Sequence, residues 1–205
     1  MHATLDNSCS FEFERREVLL IPTERGHSLG ATLHLPQSAL ENRKSKILLI
    51  PGWSGPRTGP AELLVQLAAR LAAGGHAVLR IDLHGRGDST GRFEDGDLDQ
   101  MIADASVAVD WLGTRVPPLT PNPSPSRGEG SRIVVGGICS GGNVALGLAS
   151  LRPDDVAAVV ALSTLPFQPA RTPDFDRRRR WKNFKQYAAK AVRPSTWLRV
   201  LRGEV

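Results

Sequence analysis

From residue 46 onward the chain alternates short unbroken apolar runs with longer amphipathic stretches. "KILLIPGW" (46–53), "HAVLRIDLHG" (76–85), "RIVVGGI" (132–138) and "VAAVVALST" (156–164) are short and rich in β-branched residues. Such runs predict strands buried on both faces. Between them, "GPAELLVQLAARLAAGG" (59–75) spaces its apolar residues helically and ends on two glycines, a helix stop. "DGDLDQMIADASVAVDWLGTR" (95–115) predicts an acid-started amphipathic helix, and "GGNVALGLASLRP" (141–153) a helix of small residues. Upstream, "FEFERREVLLI" (11–21) and "SLGATLHLP" (28–36) read as two strands joined by the turn "TERGHS". The strand–helix alternation implies an α/β fold, a mostly parallel sheet flanked by helices, with the antiparallel first pair extending one edge.

Two segments break the pattern. "PPLTPNPSPSRGEG" (117–130) carries five prolines and no apolar periodicity, so it reads as a solvated insertion rather than part of the core. A docking site for a proline-recognition module is the lesser reading. Residues 174–205 are basic and helical in propensity, with Trp181, Phe184, Tyr187 and Trp197 scattered through them. The division that follows is a core over 11–165 and a helical segment over 166–205.

Composition changes this picture little. The 205 residues are 40% apolar and 23% charged, as in soluble globular domains. No window approaches a membrane span, and the polar N-terminus lacks the basic start and apolar stretch of a signal peptide, so a cytoplasmic location is the default. Charge matters more by its distribution than by its net value of +5. Eleven of the 26 Lys and Arg lie in residues 170–205, with only three of the 21 acids. A basic tail is thus joined to a mildly acidic body. Clustered Arg with aromatics suits nucleic acid or an acidic membrane. A helical flap with its aromatics packed inward is the preferred reading, because few basic residues outside the tail extend a track.

Only Cys9 and Cys139 are cysteines, which excludes a disulfide framework and a zinc pattern. Cys9 lies in the polar leader; Cys139 lies in "GGICSGGNVALG" (136–147), between a predicted strand and a predicted helix. Gly-x-nucleophile-x-Gly at such a junction is the signature of a nucleophile elbow. The flanks choose the tip. Around Cys139 they are Gly137 and Gly141; around Ser140 they would be Ile138 and Gly142, and Ile138 would crowd the turn. Cys139 is therefore the candidate nucleophile, and the Ser140 N–H is placed to donate to an oxyanion.

With this motif the chain resembles the α/β-hydrolase superfamily over roughly residues 15–165. "PGWSG" (51–55) resembles the family's oxyanion loop, with Pro51 where histidine is common, and implies a second donor at the N–H of Trp53 or Ser54. "RIDLHGRGDSTG" (80–91) resembles the Asp-x-x-Gly-x-Gly-x-Ser loop of lipase, esterase and serine-aminopeptidase types, and "DWL" (110–112) also matches. Read alone, "GRGDS" is also an adhesion string. A cysteine nucleophile resembles dienelactone-hydrolase-like members. The resemblance implies hydrolysis of an ester, thioester or related small acyl substrate, with no metal and no organic cofactor.

The family order of nucleophile, acid, histidine is where the chain departs. All five histidines (His2, His27, His34, His76 and His84) precede Cys139. Asp174 or Asp176 could serve as the acid, which leaves no base in the expected place. Asp82 reads as structural, His84 as a poor choice of base, and His76 as lying at the wrong end of its strand. The last two strands of the usual sheet are missing, and residues 166–205 resemble the start of a helical cap. The expectation is an N-terminal portion of a hydrolase, weakly active or inactive by itself and prone to self-association through an open sheet edge. Alternatives are slow turnover by the thiolate alone, a non-catalytic binding protein on the same scaffold, a site completed by a second chain, and nucleic-acid binding through the tail.

Overall fold

The computed structural model describes residues 14–36, 45–116 and 132–164. The proline-rich segment 117–130 and the tail 166–205 lie outside the described residues, as do Asp174, Asp176, His2 and Cys9.

Among the described residues, six strands form one sheet: β1 (Glu14–Pro22), β2 (Ser28–Pro36), β3 (Lys46–Ile50), β4 (Ala77–Ile81), β5 (Ile133–Ile138) and β6 (Val156–Leu162). Three described α-helices connect the strands from β3 on: α1 (Leu63–Ala73), α2 (Leu98–Arg115) and α3 (Ser140–Leu151). The spatial order is β1-β2-β4-β3-β5-β6. β1 and β2 form an antiparallel hairpin, and β2 pairs antiparallel with β4. The strands from β3 on are parallel, with Leu48 opposite Leu79 on one side and Val135 on the other. This is the mixed α/β sheet that the apolar pattern predicts.

The layers follow from the period of two along each strand. In β3, Leu48 and Ile50 join the larger core with Met101, Ala105 and Leu112 of α2 and Val144, Ala145 and Leu148 of α3. Ile47 and Leu49 face the other way, toward Ala68 of α1. α1 buries Leu64, Ala68 and Ala72, one turn apart. α2 is capped by Asp97, whose carboxylate accepts the Gln100 N–H at 2.8 Å. No described helix is long and apolar enough to cross a membrane.

The predicted helix over 59–75 starts late. Gly59, Ala61 and Glu62 all have positive φ, at 70°, 47° and 59°, around a short 3-10 turn at Pro60–Glu62. Regular helix begins at Leu63. Leu64 packs so closely over Gly59 that an added Cβ there would meet its side chain at 2.8 Å. The predicted strands 46–53 and 76–85 are also shorter, ending at Ile50 and Ile81. In parallel sheets, binding groups gather beyond the carboxyl ends of the strands. Here those ends release three loops at one edge of the sheet, beginning at Pro51, Asp82 and Cys139.

Candidate active site

Cys139 is the single residue between the last position of β5 and the first of α3. Its backbone sits at φ 55°, ψ −123°, a region costly for any residue with a side chain. Its thiol is free and exposed. Ser140 follows as the first helical residue, so Cys139 holds the tip of the turn.

The glycines around it are demanded sterically. An added Cβ at Gly137 would collide with the Gly141 carbonyl, and one at Gly141 with the carbonyls of Pro51 and Ile50. One at Gly52 would lie 3.4 Å from the Cys139 Cβ. The loop after β3 is thereby seated directly on the turn after β5. The result is a bond between the two loops: the Trp53 N–H donates to the Ser140 Oγ at 2.5 Å. Of the two amides singled out for the oxyanion, it is Trp53's that reaches the elbow; Ser54 is exposed in the same loop.

The loop after β4 holds this arrangement from the other side. Asp82 is fully buried. Its carboxylate accepts from the Asp88 N–H at 2.9 Å, and from the Arg57 N–H and guanidinium. Burial by itself would lower the Arg57 pKa. Hydrogen bonds and charge from Asp88 and Asp82 outweigh that, and it stands above the ordinary arginine value. Gly87, at φ 54°, lies where a Cβ would strike the Asp82 carboxylate. Arg86 is buried too and donates through Nε to the Trp53 carbonyl and through its other nitrogens to those of His84 and Gly96. Its guanidinium lies 4.4 Å from the Phe93 ring centre and 5.9 Å from that of Trp53. Burial lowers its pKa, with Asp104 opposing.

Three of the four described histidines are hydrogen-bonded to other groups, and the fourth, His84, is packed against His27. His27 Nε2 lies 2.9 Å from Asp104 Oδ1 and its Nδ1 3.0 Å from the Thr23 hydroxyl. His76 is bonded to Ser45 at the start of β4, and His34 accepts from Arg80 inside the sheet. His84 packs edge-on to His27 at 4.5 Å and against Gly91, and its two buried ring nitrogens have no hydrogen-bond partner. Among the described residues no group of three or more His, Cys, Asp or Glu could hold a metal.

Sequence reasoning missed Arg57, Arg86 and Asp104 as positioning residues. Asp104 carried a signal: it is an acid on the apolar face of α2, between Met101 and Ala108. It accepts from the His84 N–H at 2.7 Å and the Gln100 side chain at 2.8 Å, tying α2 to the loop after β4. A cavity of about 800 Å³ lies elsewhere, between the β1–β2 turn, α2 and the end of α3, with His27, Trp111 and Leu148 among its lining. Neither Cys139, Ser140 nor Trp53 lines it.

Comparison with known proteins agrees with the fold. The chain is 33% identical over 133 residues to Cutinase 2 of Thermobifida cellulosilytica, covering 63% of this chain and 43% of that protein. It is 30% identical over 148 residues to Cutinase est1 of Thermobifida alba, covering 68% of this chain and 43% of that one. The chain thus spans less than half the length of the curated relatives it matches. Est1E from Butyrivibrio proteoclasticus, solved with ferulic acid, superposes with a TM-score of 0.60 at 24% identity, over 76% of this chain and 62% of its own. The alpha/beta hydrolase GrgF from Penicillium sp. sh18 gives 0.59 at 25%, over 84% and 53%. The sequence profile of the alpha/beta hydrolase family matches residues 47–204, from β3 onward, and the chain belongs to that family.

Proposed function

We propose that the elbow is the acylation site of an ester or thioester hydrolase, with Cys139 as nucleophile. One observation carries this reading: an exposed thiol in a strained conformation, with the Trp53 N–H brought to the adjoining residue. The Cys139 thiolate would add to the substrate carbonyl carbon. The N–H groups of Ser140 and Trp53 would take the negative charge on its oxygen. Collapse would expel the alcohol or thiol, protonated from solvent, and leave a thioester on Cys139. Water would then release the acid and restore the thiol. The cutinase relatives support an ester as the substrate class.

This chain turns over slowly, because His27, His34 and His76 are hydrogen-bonded to other groups, His84 is packed edge-on against His27, and the proton must pass to and from water. That same observation favours a second reading, a binding protein on a hydrolase scaffold. Release of p-nitrophenol from p-nitrophenyl butyrate separates the two. A slow release lost in Cys139→Ala supports the hydrolase; a rate unchanged in that variant overturns it. A rate typical of an intact triad would overturn the expectation of slow turnover.

A further inference from the structure

An oxyanion hole works only if its donors are free to meet the charge as it forms, at about 2.7–3.1 Å. Here the Trp53 N–H is already occupied. Its acceptor is the Ser140 Oγ at 2.5 Å, on the residue directly after Cys139. The loop carrying Trp53 has little room to turn this N–H elsewhere. Gly141 packs on the Pro51 carbonyl, Gly52 lies beside Cys139, and Arg86 holds the Trp53 carbonyl. The Ser140 side chain, by contrast, is free to change by one torsion, since a serine hydroxyl has three staggered positions.

We propose that the Ser140 hydroxyl is a stopper in the oxyanion site. It occupies the Trp53 N–H at rest and must rotate away before a substrate carbonyl can take its place. The inference rests on the reading of Cys139 as an acyl acceptor. It makes Ser140 more than a backbone donor: its side chain sets how strongly a carbonyl must compete to enter. Any carbonyl that enters must displace this hydroxyl, at the cost of one neutral hydrogen bond.

Two reactions at the same sulfur test this. Acylation by p-nitrophenyl butyrate builds an oxyanion. Alkylation by iodoacetamide is a displacement at a methylene carbon and builds none. Releasing a donor from one neutral hydrogen bond is expected to speed acylation in Ser140→Ala about threefold to tenfold. Alkylation of Cys139, followed by intact mass, stays at the wild-type rate. Ser140→Gly, which also lacks the hydroxyl, is expected to match Ser140→Ala, and Ser140→Thr, which keeps it, to show no gain. Acylation unchanged or slowed in Ser140→Ala overturns the stopper. So does an equal rise in both reactions, which would place the effect on the thiol itself. Ester cleavage that persists in Cys139→Ala, or is absent from both wild type and Ser140→Ala, overturns the reading of Cys139 and the stopper with it.

Discussion

Cys139 adopts a backbone conformation that costs a side-chain-bearing residue about 1–3 kcal/mol, at φ 55°, ψ −123°. The surrounding contacts hold it there, through glycines that leave no space for any other residue. A direct test compares two variants that both lack the thiol. Cys139→Gly relieves the strain and Cys139→Ala keeps it. The first should be more stable than the second by about 1 kcal/mol in urea denaturation, while neither shows ester cleavage. Equal stabilities would mean that the turn stores no strain at this position.

Whole elements are kept in register by carboxylates buried beneath the loops. Asp82 ties the end of β4 to the loop after β3 through Arg57, whose guanidinium also reaches Asp88 at 2.7 Å. Asp104 ties α2 to the β1–β2 turn through His27 and to the loop after β4 through the His84 N–H. Removing one partner of a buried pair strands the other without compensation. Asp82→Ala should therefore cost about 3 kcal/mol of unfolding free energy, read from the urea midpoint. A loss under about 1 kcal/mol would show that solvent replaces the carboxylate. Arg152 is a partly exposed counterpart, raised in pKa by its hydrogen bond to Asp110 and, less, by Asp155, with burial opposing. It pins α3 to α2 at the surface, where screening makes such a pair worth little.

At the scale of the molecule, the two edges of the described sheet differ in character. β1 is charged at its start, with Arg15 and Arg16 exposed, a feature that discourages edge pairing. β6, "VAAVVAL", has no charge, proline or glycine, and exposes Val160 at 48% and Leu162 at 40%. Among the described residues it pairs with β5 alone. Copies of this chain are expected to associate through β6, with an apparent mass in size-exclusion chromatography that rises with concentration. Val160→Lys should return the 205-residue chain to its monomer mass of 22.2 kDa. A wild-type chain that stays monomeric across concentrations would overturn this.

The sequence by itself determined the class of fold and the order of its elements. Runs such as "KILLI" and "RIVV" are short, apolar and bounded by Pro51-Gly52 and Gly136-Gly137, as doubly buried strands are, and the 3.6-residue period of α2 persists over 18 residues. The tight strand-to-helix turn at Cys139 was legible as well, because its glycines are imposed by collisions within one short stretch, Gly137 against Gly141. What only the tertiary structure decided is how groups distant in sequence meet. Ser140 receives the amide of Trp53, 87 residues away, and His27 meets Asp104 across 77. The physical reason is common to both. Periodicity reports which side of an element faces the core, a local property. A hydrogen bond between loops depends on the order in which strands are laid down in the sheet, and β3 lies between β4 and β5 only once the chain has folded.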